Sequence, residues 1–136
     1  MPGGNIKKTK KVVVDASFIL AGLVPDEKRL DVDQAFFAFK NGEVDFISSR
    51  LLPFEVLNGL KTIFLQKRVD QNLAQILAKK FLNMHINLLD VDNEEALRLA
   101  FKNDLTFYDA SYLWVTVTES AELLSFDKKL QKAFQK

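Results

Sequence analysis

Residues 12–17 read Val-Val-Val-Asp-Ala-Ser, and this short stretch decides the expected fold. Three consecutive β-branched residues are typical of a buried strand, and this strand ends at Asp15. In an open α/β sheet, ligands bind beyond the carboxyl ends of the strands. The stretch therefore predicts a buried strand that delivers one carboxylate to the functional edge of a sheet.

The rest of the chain alternates between short apolar runs and longer stretches of helical period. Strands that are separated by helices need crossover connections, so the sheet should be parallel with helices on both faces. The predicted fold is a three-layer α/β/α domain with a central parallel sheet, about four strands and about seven helices over residues 11–136, preceded by a flexible basic segment at residues 1–10. Besides the first strand, the predicted strands are 44–47, 86–89 and 122–125, and the predicted helices are 17–23, 32–40, one from about residue 52, 69–84, 94–102, 107–118 and 128–134.

The composition restricts the chemistry that the chain can perform. It has 136 residues, 48% of them apolar and twelve of them Phe, which suits one domain with an aromatic core. There is no cysteine and a single histidine, His85. Disulfides, thiolate catalysis and His- or Cys-based metal clusters are thereby excluded. Any bound metal must have oxygen ligands, which favours Mg²⁺ or Mn²⁺.

Net charge and hydropathy restrict the possible binding partners less than the composition restricts the chemistry. Nineteen basic and eighteen acidic residues give a net charge of +1, which does not indicate nucleic-acid binding by itself. Lysines gather near both chain ends, either as solvated faces or as a basic rim around an acidic centre. No apolar stretch approaches the ~20 residues of a membrane span, and no secretory signal is recognised. We expect no membrane association and a cytoplasmic location.

Four carboxylates are candidates for a common site: Asp15, Glu55, Asp109 and Asp127. Asp15 follows the first predicted strand directly, and Asp127 follows the last one closely. Glu55 and Asp109 lie at the borders of the apolar stripes of their helices, where a carboxylate can reach a cleft while the helix stays packed. The topology predicts that the four meet at one edge of the sheet.

Each of the four also has a purely structural explanation. Asp15 and Asp127 precede helices and fit as N-caps, Asp109 fits a capping box with Thr106, and Glu55 fits the first turn of a helix. Caps have no reason to converge, however. Two carboxylates ~5 Å apart repel by on the order of 3 kcal/mol at an effective dielectric near 20. A divalent cation would remove that repulsion, so convergence favours a metal site.

Each of the four acids lies in a short motif. The motifs are Val12-Val13-Val14-Asp15-Ala16-Ser17, Pro53-Phe54-Glu55-Val56-Leu57-Asn58, Tyr108-Asp109-Ala110-Ser111-Tyr112-Leu113 and Leu123-Leu124-Ser125-Phe126-Asp127-Lys128-Lys129-Leu130. These motifs resemble those of PIN domains, in the expected order and over nearly the whole chain.

The resemblance implies a Mg²⁺- or Mn²⁺-dependent endoribonuclease of the VapC type, the toxin of a toxin–antitoxin pair, with RNA as substrate, an antitoxin as partner and a homodimeric state. It implies Asp15 and Asp109 as direct metal ligands, Asp127 as a direct or water-mediated ligand, Glu55 as a second-site ligand or water orienter, and Ser125 as a support for metal-bound water.

Two further expectations follow from the same resemblance. Asp104 stands where relatives often have Gly, and we interpret it as a loop residue. If the chain is a toxin, an antitoxin segment should dock on an apolar groove that Phe18, Phe36, Phe37 and Phe39 would line.

Three alternatives remain open at this stage. An Asp-nucleophile phosphohydrolase needs a second Asp two residues after the first, where this chain has Ser17. A receiver-like signalling domain needs paired acids ahead of its phosphorylated Asp, and Val12 to Val14 offers none. The third alternative, from a different class, is a non-catalytic PIN-like module that binds RNA or a protein.

Overall fold

The computed structural model describes residues 9–26 and 29–135. Residues 1–8 of the predicted flexible segment lie outside the described residues, and the first strand already begins at Lys10. The strands are β1 (Lys10–Val14), β2 (Val44–Ser49), β3 (Asn87–Leu89) and β4 (Glu122–Leu124); the helices are α1 (Ala16–Leu23), α2 (Leu30–Lys40), α3 (Leu52–Leu65), α4 (Gln71–Leu82), α5 (Asn93–Asn103), α6 (Phe107–Thr118) and α7 (Lys128–Gln135).

The four strands form one sheet in the order β3-β2-β1-β4, and every neighbouring pair is parallel. The predicted parallel sheet is confirmed. β1 is central because it pairs with both β2 and β4, with Val14 opposite Leu124 in the second pair. The carboxyl ends of β1 and β4 therefore lie side by side, and the residues that follow them begin the site described below.

The two faces of the sheet pack against different helices, as a three-layer α/β/α fold requires. Alternate residues of β1 point to opposite faces. Val12 and Val14 belong to a core with Phe18 of α1 and Val56 of α3. Val13 belongs to a second cluster on the other face. The members of that second cluster that are fully buried are Val13, Ile47 and Val115.

Helix α4 differs from its predicted bounds because a polar cap overrides the apolar pattern. The side chain of Asp70 accepts a hydrogen bond from the backbone N–H of Leu73 at 2.7 Å, so α4 begins after Asp70 and leaves the buried Val69 outside the helix. The helix ends at Leu82. The predicted end at residue 84 is therefore two residues too late, and His85 lies beyond the helix with a φ of 56°.

The prediction that Asp104 is a loop residue is confirmed, and the backbone explains it. Asp104 is the C-cap of α5 with φ 52° and ψ 49°, the left-handed conformation in which many helices end. Glycine adopts this conformation without steric strain, and Asp is one of the few other residues that tolerate it. The left-handed backbone conformation therefore explains why either Gly or Asp can occupy this position.

The expected apolar groove is present only in part. Phe36, Phe37 and Phe39 line a surface hollow of about 390 Å³ together with Lys80 of α4. Phe18 does not line it, because its side chain is 4% exposed and lies in the core. No helix in the part of the chain that the structure describes is both long and apolar enough to cross a membrane.

Candidate active site

Asp15 is the most buried of the four candidate acids, with 3% of its surface exposed. Its Oδ1 accepts hydrogen bonds from the Ser17 hydroxyl at 2.7 Å and from the backbone N–H of Phe18 at 3.0 Å. Its Oδ2 accepts a hydrogen bond from the Ser125 hydroxyl. Asp15 is thus the N-cap of α1, as the structural explanation predicted, and it is also held rigidly at the end of β1.

Ser125 connects the ends of β1 and β4. It follows Leu124, which pairs with the residue before Asp15, so the two side chains meet across the strands. The same hydroxyl oxygen accepts a hydrogen bond from the backbone N–H of Asp127 at 3.0 Å. Its hydroxyl thus joins two acidic residues, and the role of Ser125 in holding a metal-bound water stays a prediction.

Asp127 lies at the start of α7 and is half-buried. Its Oδ1 accepts a hydrogen bond from the backbone N–H of Leu130 at 2.9 Å, and its backbone oxygen accepts from the N–H of Gln131. The predicted capping role of Asp127 is confirmed by these contacts. One oxygen of its carboxylate, Oδ2, is left for other contacts, since no hydrogen bond among the described residues uses it.

Glu55 comes from the first turn of α3 and is held by a tyrosine. Its Oε1 accepts a hydrogen bond from the hydroxyl of Tyr112 at 2.5 Å. Tyr112 is 1% exposed, and burial together with this carboxylate raises the pKa of its hydroxyl, which therefore remains a donor. Sequence reasoning assigned Tyr112 no role, although it follows Asp109 by three residues and so shares its helix face.

Asp109 occupies the first turn of α6, and Thr106 caps that helix by accepting a hydrogen bond from the Asp109 backbone N–H at 3.1 Å. Burial raises the pKa of the Asp109 carboxyl to about 6, and repulsion from Asp127, Glu55 and Asp15 adds to the rise. The Thr106 hydroxyl opposes it. This carboxyl shows most clearly that negative charge has been gathered in one place.

The four acids interact electrostatically with one another. Burial raises the pKa of Asp15, with hydrogen bonds from two serines and a backbone N–H opposing the rise and the charge of Asp127 adding to it. Burial likewise raises the pKa of Glu55, opposed by Tyr112 and reinforced by Asp15 and Asp127. The structure therefore brings all four predicted site residues together at the carboxyl edge of the sheet.

Among residues 9–26 and 29–135, no basic side chain forms an ion pair with Asp15, Glu55, Asp109 or Asp127. The lysines near both chain ends were interpreted either as solvated faces or as a basic rim; of these, Lys10 and Lys11 lie at the end of β1 away from the site and approach Glu122 and Glu119 at 3.1 and 3.4 Å. Unbalanced negative charge is the main electrostatic property of this edge.

The donor set fits a hard divalent cation. All four groups are carboxylates, the ligands that Mg²⁺ and Mn²⁺ prefer. Among the described residues, no three acidic side chains are close enough to form a ready-made cluster of metal ligands. Magnesium is compatible with this spacing, since it commonly binds one or two carboxylates directly and keeps several waters.

Buried hydroxyls support the same edge of the sheet, and sequence reasoning missed them. The Ser48 hydroxyl donates to the backbone oxygen of Val14 at 2.6 Å. The hydroxyls of Ser49 and Ser111 lie 2.9 Å apart and join the end of β2 to α6. Within the described residues, every buried side-chain polar atom has a hydrogen-bond partner. The buried polar groups beneath the carboxylates are therefore all hydrogen-bonded.

Comparison with known proteins places this geometry in a family. The model of the PIN domain matches residues 12–134. Ribonuclease VapC3 of Pyrobaculum aerophilum is 29% identical over 128 residues, which cover 91% of this chain and 95% of the relative. The crystal structure of PAE2754 from the same organism has a TM-score of 0.73 at 28% identity, and the match covers 91% of this chain and 79% of that one.

Two further matches agree with these. Exonuclease VapC9 of Pyrobaculum aerophilum is 40% identical over 63 residues, which are 46% of this chain and 47% of the relative. VapC20 of Mycobacterium tuberculosis, a toxin that cleaves the sarcin-ricin loop, has a TM-score of 0.63 at 19% identity over 90% of this chain and 94% of its own, which shows a common fold. The family match over most of the chain, on a parallel sheet that gathers four acids at its carboxyl edge, shows that this chain belongs to the PIN domain family.

Proposed function

We propose that this chain is a metal-dependent endoribonuclease that hydrolyses RNA phosphodiester bonds at the carboxylate edge. One observation carries the proposal: four acids that no described cation balances lie together in a PIN domain. A fold has no structural reason to gather them, because burial raises the pKa of Asp109 to about 6 and the repulsion of the other three acids adds to that rise. Phosphate chemistry with a divalent cation supplies that reason.

The resident metal would be Mg²⁺ or Mn²⁺, held by Asp15 and Asp109 with Asp127 directly or through water. When bound, such an ion neutralises phosphate charge and lowers the pKa of bound water. Asp15 suits the role of anchor because three hydrogen bonds keep its carboxylate in place. Asp109 suits the role of an adjustable ligand because its half-buried carboxyl is held by fewer contacts.

We assign to Glu55 the role of orienting the attacking water and accepting its proton. The Tyr112 hydroxyl holds its Oε1, whereas no hydrogen bond among the described residues occupies Oε2. Burial raises the pKa of Glu55, which makes its carboxylate a better proton acceptor than an exposed one. Glu55 Oε2 is thus the atom that can orient a water and take its proton, and Tyr112 keeps the carboxylate facing the site.

RNA cleavage by the purified protein tests the proposal. We expect cleavage of single-stranded RNA with Mg²⁺ or Mn²⁺, none with EDTA, and its loss in Asp15→Asn and Asp109→Asn. Asp45→Asn is the matched control, since Asp45 is an exposed acid in β2 that pairs in register with Lys11, at the end of the sheet away from the site. Cleavage that persists without metal, or in both site variants, would rule out a metal-dependent nuclease at these carboxylates, and no cleavage by the wild type with either metal would leave the non-catalytic binding module.

Endonucleolytic and exonucleolytic action can be separated with a closed substrate. One of the relatives is named an exonuclease, which makes the distinction worth testing. An endonuclease linearises a circular single-stranded RNA, whereas an exonuclease leaves it intact until an end is provided. Cleavage of the linear form alone would replace our endonuclease assignment by an exonuclease.

We further propose that the chain is a toxin of a type II toxin–antitoxin system, acting as a homodimer in the cytoplasm under the control of an antitoxin protein. Its similarity to Ribonuclease VapC3 supports this role. Induced expression should stop growth, Asp15→Asn should abolish the arrest, and co-expression of a short neighbouring reading frame should relieve it. Normal growth during expression of a protein that cleaves RNA in vitro would refute the toxin role alone.

A further inference from the structure

Arg29, at the start of α2, differs in its contacts from the other arginines of the chain. All four arginines are described, and three of them hold a carboxylate. Arg29 forms no ion pair with any described acid; its guanidinium carbon lies 4.2 Å from the centre of the Phe126 ring. The Phe126 ring thus positions the guanidinium group, and no described side chain neutralises its charge. The paired arginines are Arg50 with Asp90, Arg68 with Asp26 and Arg98 with Glu95.

The ring that Arg29 contacts, that of Phe126, lies beside the residues of the carboxylate edge. Phe126 lies between Ser125 and Asp127 in the chain, and its backbone N–H donates to the Ser17 hydroxyl at 2.9 Å. The ring also stacks with that of the buried Phe18, with centroids 6.0 Å apart and an interplanar angle of 19°. The half-buried ring is therefore a fixed platform at the border of the acidic site.

An open groove runs from this platform between α1 and α3. It has a volume of about 370 Å³, within the range of small-molecule sites. Its lining combines polar and basic groups with apolar ones. Residues that give it this character are Ser17, Arg29, Thr62, Gln66, Arg68 and Phe126.

We propose that Arg29 and Phe126 form a subsite for an RNA phosphate next to the scissile phosphodiester, an inference that rests on the proposed ribonuclease function. A guanidinium held over a ring face keeps the N–H donors at its own edge, where a phosphate can accept two of them. The four acids repel an incoming polyanion, so a cation at their border is needed to hold the adjoining nucleotide. Arg29 binds the phosphate, and Phe126 is a positioning residue that acts through Arg29.

The charge of Arg29 is available for this role. Among the groups that shift the pKa of Asp15, Glu55 and Asp109, no arginine or lysine is present. Arg68 lines the same groove but is occupied in part by Asp26, at 2.8 and 2.9 Å. An acidic segment of a partner protein would be attracted by the same cation, and the following experiment separates that case from RNA.

Steady-state cleavage of single-stranded RNA with Mn²⁺ tests Arg29→Ala, Arg29→Lys and the control Arg98→Ala, which removes the same charge from α5. We expect Arg29→Ala to raise KM about tenfold, as for loss of a charge-assisted contact, while kcat changes less than about twofold. Arg29→Lys should recover part of the loss. Anisotropy of labelled RNA on an Asp15→Asn background should show the same weakening, with a salt dependence reduced by about one unit of slope.

Phe126→Leu tests the platform separately. It should raise KM less than Arg29→Ala and leave the salt slope unchanged, because the cation is kept and only its orientation is lost. Thermal unfolding of each variant shows whether the fold is retained. Equal KM and equal RNA affinity for Arg29→Ala and Arg98→Ala would overturn the RNA subsite. If the wild type does not cleave RNA, the proposed nuclease function is refuted instead. The anisotropy assay would then still show whether Arg29 binds RNA.

Discussion

Replacing Asp109 by Asn should make the metal-free protein more stable, although the same change should abolish the RNA cleavage that we propose. Asp109 is a half-buried carboxyl whose pKa is raised to about 6 by burial and by the charges of Asp127, Glu55 and Asp15. The amide has nearly the same shape and carries no charge. The capping hydrogen bond from the Asp109 backbone N–H to Thr106 does not involve the side chain and remains.

The structure sets the size and the pH window of the effect. A pKa raised from 3.8 to about 6 corresponds to about 3 kcal/mol, and solvent screening of this half-exposed group reduces the usable part to about 1–2 kcal/mol. Because the folded-state pKa is the higher one, the folded protein binds the proton more tightly than the unfolded chain does. The penalty is therefore absent below about pH 4, grows as pH rises through about 6, and is complete above about pH 7.

Urea unfolding in EDTA at pH 7.5 and at pH 4 measures this difference directly. We expect Asp109→Asn to unfold at higher urea at pH 7.5 and to match the wild type at pH 4. Asp45→Asn, which changes an exposed acid in β2, should have little effect at either pH. A variant that is less stable at pH 7.5, or that gains equally at both pH values, would show that repulsion among the acids does not govern this site.

Three other substitutions test the supporting contacts. Tyr112→Phe removes the hydrogen bond to Glu55, so unfolding free energy should fall by about 1 kcal/mol, and Mn²⁺ should raise the melting temperature less than in the wild type. Ser125→Ala should lower the unfolding free energy by about 1–3 kcal/mol in urea, whereas Ser125→Thr, which keeps the hydroxyl, should lose less. Gly22→Ala should destabilise by about 1–2 kcal/mol despite the better helix propensity of Ala, because the new methyl group would lie 2.2 Å from the Phe36 ring; calorimetry measures the sign.

The sequence could predict the parts of the site that depend on strand ends. Asp15 ends a run of three valines, and Asp127 follows the last short strand, so the rule that ligands bind at the carboxyl edge places both without coordinates. Pairing of Val14 with Leu124 brings the two ends together. Glu55 was predictable for a related reason, since helical periodicity shows which residues border a buried stripe.

Contacts between side chains that are distant in sequence could not be predicted. The hydrogen bond from Tyr112 to Glu55 joins residues 57 positions apart, and the bond from Ser125 to Asp15 joins residues 110 positions apart. A hydroxyl has no periodic signal, so its partner depends on how whole elements pack. Local caps were the other obstacle, as with Asp70, which shortens α4 against its apolar pattern.

The hydrogen bonds of Asp15 also limit how the acids can share a cation. An ionised carboxylate offers about four acceptor positions, and three of those on Asp15 are filled by Ser17, Phe18 and Ser125. Capacity remains for about one further bond, so the other contacts of a cation must come from the remaining acids or from water. Those acids are half-buried, and Asp109 and Glu55 each have a raised pKa. One anchor that hydrogen bonds hold fixed, with less constrained acids around it, would therefore let this fold hold the proposed cation and keep the site open to phosphate.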